Sequence, residues 1–303
     1  MAGFKNHRAL SDSLTSDGRT WLSTFRKVPA ATATIAGQWF DYGYAAGNPI
    51  PNYYAASPLV AATLEATKGI VVPRMISGEQ QYLHRVTAMT VASGVTSITN
   101  QAQPLILCDY LLFYPFVDMD AAGEDQVMDN ATSLPRYADG VGVQMMMVNQ
   151  SGTVGSGQFT VTYIGSDDVQ YTTPTLFGAA AGPSGAITSA VGAAGGLQPF
   201  IPLNAGVRGV KSVVSVNFSV AHGGLCCVVL VKPLETLYVN EESRRTTAGT
   251  LESFGDVTEK EALRTRAGIV EIKDGAFLGF IGQGSQGSLA SAPLVGMLET
   301  VWR

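Results

Sequence analysis

Residues 210–234 read VKSVVSVNFSVAHGGLCCVVLVKPL, and the class of the fold is decided by this stretch. Val210, Ser212, Val214, Val216, Phe218 and Val220 fall on one face of a two-residue period, while Lys211, Ser215, Asn217 and Ser219 fall on the other. That alternation is how a strand with one dry face is written. Ala221-His222-Gly223-Gly224 then turns the chain, and Leu225–Val231 is apolar on both faces, as expected of a strand in the middle of its sheet. The two runs are expected to pair as a hairpin. Cys226 and Cys227, adjacent on the second strand, would point to opposite faces, so a shared metal or redox pair is not expected. With Cys108 they are read as small core residues of a reducing compartment.

Working outward, strands are predicted at 82–92, 104–117, 141–149 and 157–164, where Phe159, Val161 and Tyr163 alternate with threonines, and again at 268–273 and 276–281. Short strands separated by Gly, Pro, Asn and Ser clusters point to a mainly β protein built on an antiparallel β-sandwich, with short helices. The sandwich is placed at 79–236. Residues 1–78 show little periodicity and are read as an extended N-terminal arm or adaptor. Inside that region Ser57, Pro58, Lys68 and Gly69 sit where a helix over 58–68 would want its N-cap, first turn and end. Residues 237–303 form a charged C-terminal region: 16 charged residues lie between Lys232 and Asp274, in a chain with 19 basic and 24 acidic residues. Thr258 and Glu261 have capping-box spacing, and Gly268 follows Arg264 and Arg266, which predicts a short helix there. The terminal Trp302 is expected to dock.

Charged residues make up only 14% of the chain, against about 25% in ordinary soluble domains, so something other than charge must cover the surface. Glycine and stretches rich in Ala, Ser and Thr do much of that covering, most of all Phe177–Gly196, which suits close backbone approach or a low-complexity loop. A net charge of −5 provides no phosphate-neutralising stripe, so no direct nucleic-acid contact is expected. MAGFKNHRAL does not read as a secretory signal, and no long apolar run offers a membrane span, so neither export nor a membrane partner is expected.

Few strings suggest chemistry. Gly282-Gln283-Gly284-Ser285-Gln286-Gly287 satisfies G-x-G-x-x-G, but Pro293 and the short remaining chain deny it the helix and second strand of a dinucleotide site, so no cofactor is expected. Asp118, Asp120 and Asp129 carry part of a calcium-loop spacing, although Ala122 stands where an oxygen donor belongs; they are the candidate metal ligands, with a solvated acidic loop as the plain alternative. His7, His84 and His222 lack zinc spacing, no nucleophile elbow is present, and no catalytic residues are assigned. The aromatic cluster Trp39, Phe40, Tyr42, Tyr44, Tyr53 and Tyr54 is the candidate interface; it could equally anchor its own segment, with stacking on sugar rings as the lesser alternative.

Two runs, Leu111-Leu112-Phe113-Tyr114-Pro115-Phe116-Val117-Asp118 and Gly224–Leu234, together with the low charge and the aromatic-proline leader, resemble stretches of tailed-bacteriophage virion structural proteins. The resemblance is diffuse and carries no motif with transferable functional residues. It implies a non-enzymatic structural subunit of the virion, made in the host cytoplasm, with copies of itself and other virion proteins such as the major capsid protein as partners. Within that class it implies a jelly-roll-like capsid decoration or cement protein, with a tail or head-tail component and then a carbohydrate-binding adhesin as alternatives.

Overall fold

The structure is a computed structural model, and it describes residues 4, 6–29, 38–95, 102–153, 157–178, 182–188, 198–245, 251–255, 257–261, 269–283 and 293–303. The chain is mainly β and its sheets are antiparallel. One α-helix, α1 (His7–Thr15), opens the described chain, capped by Asn6, whose Oδ1 accepts from the Ala9 amide at 2.9 Å. The strands that follow in the first third are β1 (Thr20–Val28), β2 (Trp39–Asp41), β3 (Ala46–Asn48), β4 (Ala62–Thr63), β5 (Gln81–Val95) and β6 (Ala102–Asp118). The middle supplies β7 (Asp125–Val127), β8 (Gln144–Asn149), β9 (Gln158–Gly165), β10 (Gln170–Thr172), β11 (Leu176–Phe177) and β12 (Val210–Phe218). The last third supplies β13 (Leu225–Arg245), β14 (Leu251–Gly255), β15 (Thr258–Glu261), β16 (Val270–Ile272), β17 (Phe277–Gln283) and β18 (Leu294–Trp302). No helix among the described residues is long and apolar enough to cross a membrane.

Among the described residues these strands form two sheets. The larger has 13 strands, with the path β2-β17-β6-β13-β14-β5-β18-β1-β3, and the smaller has five, with the path β10-β9-β12-β7. The larger sheet curls: Phe25 of β1 meets Phe280 of β17 at 4.9 Å between ring centres, although the two strands stand far apart in the path. Leu83, Val86, Leu105, Leu107, Leu237, Leu278 and Leu298 fill the inside of the curl. Farther along, the first half of β13 is flanked by β6 and β8, and one face of this region stacks on the five-stranded sheet. Cys226, Val228 and Leu230 enter that second core, while Cys227, Val229 and Val231 enter a third core on the opposite face. The opposed cysteines follow from the two-residue period, and burial pushes all three thiols up.

Several local expectations are overturned. β12 and β13 do not pair as a hairpin: β12 pairs with β9 and β7, β13 with β6 and β8, and residues 221–224 carry the chain from one sheet to the other. Their apolar faces stack across the sandwich, so Val213, Val216 and Phe218 share a core with Val228 and Leu230. Val213 rather than Val214 turns inward, because register shifts between Val210 and Ser212 and between Val213 and Ser215 reset the phase. The helix expected at 58–68 is absent. Leu59 takes φ 59°, the Leu59 and Ala61 amides donate to Pro115 O and Asp129 O, and β4 pairs with Leu112 and Phe113, leaving only a 3₁₀ turn at Ala66–Lys68. Long-range strand pairing overrides the end signals of so short a helix. Thr258–Glu261 is a strand on Arg85–Ala88, not a capped helix; Thr258 donates its hydroxyl to Tyr238 O, and 262–268 lie outside the described residues.

The described part of residues 1–78 contributes directly to the body. β1 lies between β18 and β3, and α1 sets Leu10 against Tyr82 and Val301. The half-buried Trp302 belongs to β18, and its amide donates to Arg19 O at 3.1 Å. The boundary expected at 236/237 falls inside β13.

Candidate functional site

The aromatic segment 39–54 lies over β17 and β6, and its geometry follows from one carboxylate. Asp41, at the end of β2, is fully buried. Its Oδ1 accepts from the Tyr110 hydroxyl at 2.7 Å and from the Gly43 amide at 2.8 Å, and its Oδ2 accepts from the Tyr54 hydroxyl. Burial raises the Asp41 pKa, against the pull of those donors and of Lys27. Lys27, on β1, donates to Ala45 O at 2.9 Å and Pro49 O at 2.7 Å. Burial pushes its ammonium down to about 8, with Asp41 acting in the opposite sense.

Trp39, Phe40, Tyr42 and Tyr54 are buried in the chain's own cores, Tyr44 is half-buried, and Tyr53 is 54% exposed. Of the six candidate interface rings, Tyr53 and the edge of Tyr44 are the ones this chain leaves accessible, and these two rings meet at 4.9 Å. Four large rings cannot serve a partner while they fill a core. The adjoining cavity, lined by Phe25, Lys27, Tyr42, Pro49, Ile70 and Phe280, measures about 10 Å³. That is room for about one water. The chemistry of this network is anchoring: it fixes the loop after β2 to β1 and β6.

Lys27 gives a readable pH dependence. Its folded pKa lies below the ordinary lysine value of 10.5, so between pH 8 and 10.5 the unfolded chain holds a proton that the folded chain has released. Stability contributed by this group therefore rises with pH across that window. Lys27→Met is expected to flatten that rise, read as the change in urea midpoint between pH 7.5 and 9.5.

A second buried charge lies in β6. Asp109 of β6 has no exposed side-chain surface and receives a two-pronged contact from Arg136, at 2.8 Å from Nε and 2.7 Å from Nη2. Arg136 Nη2 also donates to Tyr110 O at 3.0 Å, and the Phe277 amide donates to Asp109 Oδ1 at 3.1 Å. Burial outweighs these donors and raises Asp109 to about 6. The pair clamps the loop that carries Arg136 onto β6 and β17.

The acidic candidates do not gather. Asp118 accepts from the Asp120 amide, Asp120 from the Gly223 amide and Asp129 from the Ala131 amide, so each carboxylate closes a local turn or corner. Among the described residues no group of three His, Cys, Asp or Glu side chains is placed to hold a metal ion. Gly282 and Gln283 end β17, whereas 284–287 of the glycine string lie outside the described residues. His7 is exposed on α1, His84 is buried in β5, and His222 is buried at the corner between the sheets.

The surface feature with the clearest meaning is the outer face of the five-stranded sheet. The register sets Ile164, Thr162, Thr160 and Gln158 beside Ser212, Ser215, Asn217 and Ser219, with Thr172 and Val127 at the margins. Across all five strands the charged residues are Asp125 and Lys211. Asp125 accepts from Asn217 at 2.8 Å, and Lys211 pairs with Asp168 at 2.5 Å. Val127, on the edge strand, is 66% exposed. The face is largely polar and nearly uncharged, with Asp125 and Lys211 as the charges on its strands and the exposed side chains of Val127 and Phe177 as apolar breaks at its margins.

No protein-family model, no curated protein and no solved structure matches this chain.

Proposed function

We propose that the chain is a structural subunit of a tailed-bacteriophage particle, in the manner of a capsid decoration or cement protein that fastens neighbouring subunits. A tail or head-tail component is the close rival within the same class. In this reading the sandwich is jelly-roll-like, residues 1–78 help to reach a neighbour, and the partners are copies of the chain and the major capsid protein.

The observation that carries the reading is the nearly uncharged outer face of the five-stranded sheet. A face of Thr, Ser, Asn and Gln can be covered by protein without stranding ions, whereas a face meant for permanent contact with water ordinarily carries charge. The chain's charged fraction of 14% points the same way.

The test is light scattering of the purified chain, alone and with particles, beside Thr162→Lys, which sets a charge in the middle of that face. The native chain is expected to self-associate or bind particles, and the variant to lose this while melting within about 0.5 kcal/mol of the native chain. A native chain that stays monomeric and ignores particles would sink the proposal. The adhesin reading keeps one specific support, the exposed ring of Tyr53. Glycan binding abolished by Tyr53→Ala, with assembly intact, would favour it instead.

A further inference from the structure

The corner where β12 hands the chain to β13 is built around His222, which is 2% exposed. Its ring meets Phe218 edge-on at 5.1 Å and occupies a slot made by two glycines. A methyl group at Gly157 would stand 2.3 Å from His222 Nε2, and one at Gly178 would stand 2.7 Å from Cε1. Among the described residues Nε2 has no hydrogen-bond partner. A neutral imidazole tolerates this at the cost of one unmet polar atom, but a charged one would bury an Nε2–H donor with no acceptor among the described residues.

The surrounding backbone closes over the ring. The His222 amide donates to Met119 O at 3.0 Å, the Gly123 amide to Phe218 O at 2.6 Å, and the Gly178 amide to Gly157 O at 2.8 Å. The Gly223 amide donates to Asp120 Oδ1 at 2.8 Å. Asp120, on the connection after β6, is the titratable group that acts on the ring; Phe218 of β12 and Gly157 and Gly178 on the opposite side carry no charge. Burial lowers the imidazole pKa, and Asp120 offsets only part of that effect.

We propose that His222 is a proton-operated latch: neutral, it holds the corner between the two sheets closed, and protonated it leaves the glycine slot and releases residues 119–123 from 219–224. The sign follows from the burial. The open state binds the proton more tightly than the closed one, so opening is favoured as pH falls below the ordinary value of 6.5. The latch acts on the chain itself and does not depend on the assembly reading.

Hydrogen exchange at pH 7.5 and 5.5, corrected for the intrinsic pH dependence of exchange, tests it. Opening of 119–123 and 219–224 is expected to rise by up to about tenfold per pH unit below 6.5, while the centre of β6 stays protected. His222→Phe, whose ring suits the same slot, is expected to lose this pH dependence. Gly178→Ala, which crowds the slot, is expected to open the corner already at pH 7.5. If the phenylalanine variant does not fold, the ring carbons of His222 in the native chain, followed by NMR, are expected to titrate below 6.5 in step with opening. Titration at or above 6.5, protection unchanged down to pH 5, or an equal pH response in His222→Phe would overturn the latch.

Discussion

Arg136→Met is expected to lower the unfolding free energy by about 3–5 kcal/mol at pH 7.5, because it strands the Asp109 carboxylate in the interior. Asp109 has no exposed side-chain surface, and beyond Arg136 its protein donor in the structure is the Phe277 amide at 3.1 Å. The deficit should shrink at pH 5. Burial already raises the Asp109 pKa to about 6 with the guanidinium in place, and losing Arg136 removes a group that lowers it. The folded chain thus binds this proton more tightly than the unfolded chain. Ionising Asp109 removes stability as pH rises through about 6, and protonating it on the acid side relieves the stranded charge. Urea denaturation at the two pH values measures both effects. The double variant Asp109→Leu with Arg136→Met is expected to recover most of the loss, since replacing both partners of a buried pair costs far less than removing one. A deficit of equal size at pH 5 and 7.5 would mean that the cost is one of packing and not of charge.

Asp41→Ala is the second large effect, about 3–5 kcal/mol. It leaves the buried hydroxyls of Tyr54 and Tyr110 and the amide of Gly43 without their acceptor, at about 1–3 kcal/mol for each buried group left unmatched. Asp41→Asn keeps the shape and one carbonyl acceptor, so it should cost roughly half as much. Because Asp41 fixes the loop after β2, the alanine variant should also expose Trp39 and Tyr54, seen as a red shift in fluorescence and faster proteolysis within 42–54. A drop in stability with 39–54 still protected would show that the rings alone hold the segment.

The strands were legible because each long one has a period that sequence alone reveals. β5, β6, β8, β9, β12 and β17 lie within a few residues of their expected bounds, while β13 begins at Leu225 as expected but runs on to Arg245, far beyond Val231. Which strands pair was not legible: alternation tells which face is dry and says nothing about whether the next strand lies beside it or beneath it. The turn at Ala221–Gly224 suits a hairpin and a sheet-to-sheet corner equally well. The end signals around 58–68 were real features of the sequence, but Ala62 and Thr63 gain more from pairing with β6 than a lone short helix would give.

The anchoring site was half visible. The rings at 39–54 are conspicuous in the sequence, whereas Asp41 among them is not, and Asp109 is marked only by being a lone charge within the apolar run Leu105–Val117. A carboxylate in such a strand requires a buried partner, and that was the available signal. Its partner Arg136 lies in a loop without periodicity, so its position could come only from the fold. The uncharged face of the smaller sheet was foreshadowed by the near absence of charge between Gly140 and Val207.

β13 runs unbroken for 21 residues, from the sandwich into the curled sheet, and lends side chains to all three large cores. It is a spine, and the chain cannot be dissected along it into pieces that each keep a finished interior. A cut anywhere in its length would orphan packing on both sides at once, so heat should melt these cores together in a single cooperative event.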